Sequence, residues 1–77
     1  MHNESRIRLS KDERQELCVK IQEFFDKERG ENIGNLSATL LLNFIIDEIG
    51  PAIYNQGIRD AYRYMMERCE DMLSLEL

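Results

Sequence analysis

The chain has 77 residues and a mass of 9.1 kDa, with 43% hydrophobic and 32% charged side chains; this is the composition of one small globular domain, 1–77, with no room for a second. Ten Lys and Arg against 15 Asp and Glu leave a net charge of −5, which speaks against a sequence-indifferent nucleic-acid binder that lives on phosphate contacts, and against docking on an anionic membrane. One His, two Cys and one Pro are little material for a metal site or a disulfide scaffold, so no cofactor is expected.

Residues 1–5 are polar, and disorder is expected there. The first 16 residues hold no apolar signal-peptide core, and no stretch approaches the roughly 20 apolar residues of a membrane span. The expected compartment is the cytoplasm, with Cys18 and Cys69 as reduced thiols. Arg6-Ile7-Arg8-Leu9 alternates polar and apolar, the period of a short strand. Ser10-Lys11-Asp12-Glu13 then reads as a capping box, in which the Ser10 hydroxyl accepts from the Glu13 amide and the Glu13 carboxylate accepts from the Ser10 amide. A first helix is predicted from there to Arg29, stopped by a left-handed Gly30. Its apolar stripe is Leu17, Cys18, Ile21, Phe24 and Phe25, with Glu16–Lys20 and Glu23–Lys27 as acid-first pairs on the exposed side.

Asn32 and Asn35 are the candidate caps of a second helix. From Leu36 to Ile49 that helix is apolar almost all round, so it must be covered on all sides. Two neighbouring helices of a 77-residue monomer hardly suffice, and the segment is therefore read as the central helix of a homodimer. Gly50-Pro51 is read as its end, since proline lacks an amide and disfavours the α region for its predecessor. A third helix is predicted from Pro51 to about Leu73, with Tyr54, Ile58, Ala61, Tyr62, Met65, Met66, Cys69, Met72 and Leu73 on its apolar stripe. Gly57 costs a helix about 1 kcal/mol against Ala, which suggests a close backbone approach or a local irregularity.

Few side chains offer chemistry. Asn43 interrupts the oily segment; it either sets register in an interface or lies on the one wet edge. Tyr54, Asn55 and Gln56 follow the Pro51 corner and offer hydrogen-bonding groups to a partner. Asp47, Glu48 and Asp60 are carboxylates near that corner, with no base or nucleophile at a recognisable spacing. His2 is the lone histidine. Cys18 and Cys69 lie on apolar stripes and read as small hydrophobes.

Two resemblances bear on function. A strand, a helix, a turn and a second helix is the element order of the ribbon-helix-helix regulators. That resemblance implies a dimer placing Arg6, Arg8 and Ser10 in the DNA major groove. It departs in its long first helix, its additional third helix and its overall acidity, although residues 1–16 carry four basic and four acidic side chains. The second resemblance rests on motifs: Ile33-Gly34-Asn35-Leu36, then Glu48-Ile49-Gly50-Pro51, then Ile53-Tyr54-Asn55-Gln56 and Ile58-Arg59-Asp60-Ala61. These resemble, over about Ile7 to Asp71, a family of short bacterial proteins known only as a domain of unknown function. That resemblance implies a standalone cytoplasmic protein and brings no activity with it.

The sequence thus predicts an all-α domain of three helices with a short N-terminal strand, forming an intertwined homodimer. The function expected is that of a non-enzymatic interaction protein. An unidentified protein partner would dock at Asn43, Pro51, Tyr54, Asn55 and Gln56, without membrane. The alternatives are a ribbon-helix-helix-like regulator, the only reading with DNA as partner, and an enzyme whose carboxylates meet across a dimer.

Overall fold

The computed structural model describes residues 7–77. The chain is all-helical. The first helix, α1, spans Lys11–Arg29, with the start and stop that its caps dictate. The Ser10 hydroxyl accepts from the Glu13 amide at 3.1 Å and the Ser10 amide donates to Glu13 Oε1 at 2.8 Å. At the other end Gly30 turns left-handed at φ 65°, and the Gly30 and Glu31 amides close on the carbonyls of Asp26 and Phe25. Removing the hydroxyl orphans one amide of the first turn. Ser10→Ala is expected to cost about 1 kcal/mol in urea unfolding, with α1 still helical. The pairs Glu16–Lys20 and Glu23–Lys27 do not close; ion pairs form instead at Arg29–Glu31, Arg63–Asp60 and Arg68–Asp71.

After residue 34 the chain forms one long helix, α2, spanning Asn35–Leu73. The expected third helix is its second half. Pro51 should end a helix, because it lacks an amide and its ring crowds the carbonyl four residues back. Here the helix widens just before it. Ile45–Ile49 form a π turn between α-helical Asn35–Phe44 and Gly50–Leu73, and the Gly50 amide donates to the Ile45 carbonyl, five residues back. A π turn inserts one residue into the helix, so the chain passes the proline instead of reversing. Relative to an unbroken α-helix it also rotates the two halves by roughly 100°. Gly50 leaves room at this point: a Cβ there would stand 2.7 Å from Ile7 Cδ1, the movable end of that side chain, and 3.3 Å from the Ile45 carbonyl, so both would have to give. The N-terminal segment therefore crosses the helix at the π turn.

Two further expectations are corrected. Ile7–Leu9 form no strand, and no strand exists among the described residues. Four alternating residues set the period of a strand without specifying a strand to pair with. Arg6, His2 and the rest of residues 1–6 lie outside the described part. The cap of α2 is Gly34 rather than Asn32 or Asn35, and no side chain caps it. Gly57 has nothing within 4 Å of where its Cβ would be, so within the chain it serves no close approach. Gly57→Ala should raise stability by about 0.5–1 kcal/mol, read as a shift in the urea midpoint at unchanged slope.

The loop of residues 30–34 folds α1 back against the first half of α2. The core so formed is thin. Among the described residues only Ala38 (0% exposed) and Leu42 (3%) are buried; Leu17, Cys18, Ile21, Phe25, Leu41, Ile45 and Ile46 are half-buried. Phe24 and Phe25 meet edge to face at 5.6 Å between ring centroids. Beyond Pro51 no other described element packs on α2, and every residue from Ala52 to Leu77 is exposed. The chain measures 65 × 30 × 20 Å, with a radius of gyration of 18.8 Å, where a compact chain of this length would have about 11–12 Å.

Candidate functional site

The two helices of the hairpin are tied together by a ladder of polar contacts. Arg14, Cys18 and Gln22 lie four residues apart and so share one face of α1; Asn35, Thr39 and Asn43 do the same on α2. The antiparallel arrangement sets them opposite one another. Arg14 Nη2 donates to Asn43 Oδ1. Cys18 Sγ lies 3.8 Å from Thr39 Oγ1. Gln22 Nε2 donates to Asn35 Oδ1 at 3.1 Å and to the Ile33 carbonyl at 3.2 Å. Arg14, Cys18, Gln22, Asn35 and Thr39 of this ladder, with Lys11, line an open groove of about 290 Å³. The 4-residue spacing of polar side chains in each helix was the signal for it. It passes unnoticed when each helix is read for its apolar stripe alone.

Asn43 is thus exposed and engaged with Arg14, on the wet edge of the helix. Of the corner residues, Pro51 is half-buried, and Tyr54, Asn55 and Gln56 are exposed. Gln56 is engaged along its own helix: it donates to Asp60 at 2.9 Å and accepts from Arg59 at 3.0 Å. Tyr54, 39% exposed, and Asn55 have no hydrogen-bond partner among the described residues. Because α2 runs on through Pro51, these side chains line one helix instead of gathering in a bend. Ser10 is spent on capping α1, and Arg8 is exposed on a segment that is not a strand. The ribbon on which DNA reading by Arg6, Arg8 and Ser10 depends is therefore missing from the described residues.

The carboxylates do not converge. Asp60 pairs with Arg63 at 3.2 Å and with Gln56, while Asp47 and Glu48 are exposed on the π turn. No group of three or more His, Cys, Asp or Glu side chains that could hold a metal occurs among the described residues. Cys18 and Cys69 are free thiols, half-buried and exposed respectively. What the surface does offer is apolar. Leu36, Leu40 and Phe44 are 73%, 60% and 53% exposed on the first half of α2, and Ile58, Tyr62, Met65 and Met72 are 54–67% exposed on the second. By length and composition alone α2 could cross a membrane, with an 18-residue window of mean hydropathy 1.4, 11% of it buried. The apolar run is thus longer than an end at Pro51 implied.

The architecture is a helical hairpin with one arm drawn out into a helix that no other described element covers. By sequence the chain belongs to the family described as an uncharacterized conserved protein (DUF2164), whose profile matches residues 7–75. That match agrees with the resemblance carried by the motifs around Gly50-Pro51 and assigns no activity. No curated protein and no solved structure matches the chain.

Proposed function

We propose that this is a non-enzymatic, cytoplasmic interaction protein that acts as a homodimer. The observation that carries this reading is uncovered area. The chain exposes 6835 Å², whereas a compact monomer of 9.1 kDa exposes about 4,900 Å². The excess is about twice the ~800 Å² that each partner contributes to a standard interface. Most helical stability in proteins comes from packing an apolar face rather than from propensity, and no other described element packs on the second half of α2.

Mixed charge supports a protein partner over a lipid one. Arg59, Arg63 and Arg68 alternate with Asp60, Glu67, Glu70 and Asp71 on the exposed half of α2, and Asp47 and Glu48 interrupt its apolar half. Tyr54, exposed at the corner, is the side chain left for a further protein partner. Sedimentation velocity over a hundred-fold range of concentration tests the reading. A species of twice the chain mass is expected at micromolar concentration, and a chain that remains single throughout would refute it.

A further inference from the structure

We infer that the dimer seam is a heptad stripe on the second half of α2, formed by Asn55, Ile58, Tyr62, Met65, Cys69 and Met72 packing against the same stripe of a second copy. This rests on the homodimer reading and specifies where it is built. The six positions alternate in steps of three and four residues, the repeat that keeps one face of a helix turned to a neighbour as the pair coils. Five of the six are apolar or a thiol, and all six are exposed in the single chain.

The rest of this half is arranged for such a seam. Its four carboxylates, Asp60, Glu67, Glu70 and Asp71, all fall on the opposite face of the helix. There two of them are held by bonds along the helix: Asp60 by Gln56 at 2.9 Å and Arg63 at 3.2 Å, and Asp71 by Arg68 at 3.2 Å. Gly57, at which a Cβ meets nothing, is on the outer side. No acid stands in or beside the stripe, so two copies meet without like acidic charges in contact. A lipid surface fits this half less well: its net charge is negative, and the three arginines are spread around the helix among the acids instead of forming a basic face. The exposed stripe of Leu36, Leu40 and Phe44 lies beyond the π turn, rotated off this seam, and does not continue it.

The test compares Met65→Glu, on the seam, with Tyr64→Glu, which alters a side chain just as exposed (57% for each) but on the outer face. Sedimentation velocity should show the mass halved by Met65→Glu and unchanged by Tyr64→Glu. A second readout does not depend on the variant keeping its full helix. In a Cys18→Ser background the Cys69 thiol, exposed in the single chain, should react with Ellman's reagent several-fold more slowly in the dimer than after Met65→Glu. A dimer that survives Met65→Glu with the Cys69 rate unchanged overturns the seam and leaves the homodimer standing. A single-chain protein overturns both. A single chain that floats with phosphatidylcholine–phosphatidylglycerol vesicles overturns both and makes the membrane the occupant.

Discussion

Leu42→Ala is expected to lower stability by about 2–4 kcal/mol, the usual cost of deleting a buried leucine whose site cannot collapse. Leu42 is 3% exposed and is the only large side chain buried in the hairpin. The apolar side chains of α1, such as Leu17 and Ile21, are themselves only half-buried, so little other burial shares the loss. Small domains have total stabilities starting near 5 kcal/mol. Urea titration followed by far-UV circular dichroism should therefore show the midpoint displaced far towards zero denaturant. A loss below about 1 kcal/mol would mean that the α1–α2 contact is not the core.

The second large effect is at Ala38, 0% exposed, where α1 lies against α2. Ala38→Glu places a carboxylate between the helices with no cation to receive it: the nearest basic side chain on the ladder, Arg14, is already bonded to Asn43. An uncompensated buried charge costs about 3–5 kcal/mol. The variant should be unfolded at 25 °C or hold only helical remnants without a cooperative transition. Ala38→Gly is the companion measurement. It removes one methyl group and adds backbone freedom, so it should cost about 1 kcal/mol. Similar losses for the two would show that charge is not what the site rejects.

The parts of this fold that were legible in the sequence are those set by local chemistry. Ser10, Glu13 and Gly30 fix α1 to within a residue, because a capping box and a left-handed stop act over four or five residues and need no tertiary context. The apolar stripe of α1 was equally plain. Reading Gly50-Pro51 as a helix end followed the strong local preference of proline, and here tertiary context prevails. The π turn at Ile45–Ile49 accommodates the ring, and the crossing of Ile7 over Gly50 uses the missing Cβ. Nothing in a local pattern distinguishes a proline that ends a helix from one that follows a π turn. The strand proposed for Arg6–Leu9 failed for the opposite reason. Four alternating residues fix a period but not a partner strand, and within one chain there is none for the part described. The polar ladder was missed because its spacing is helical but its residue types are not those of an apolar stripe.

The oily middle segment was expected to need more cover than three helices give. The structure moves much of that need further along the chain. Ala38 and Leu42 are covered by α1, while the uncovered apolar surface continues through Ile58, Tyr62, Met65 and Met72. A second copy would bring the pair nearer to the radius of gyration of about 15 Å that a compact chain of twice the length has. It would also make stability depend on protein concentration, since folding and association would be one equilibrium.

The most direct measurement is therefore the molar mass in solution by light scattering coupled to size exclusion, repeated across a wide range of loading concentrations. The account predicts a particle of two chains, held at the lowest concentrations that still scatter, together with a urea midpoint that rises as protein is added. A particle of one chain at every concentration, with a midpoint indifferent to dilution, would contradict it.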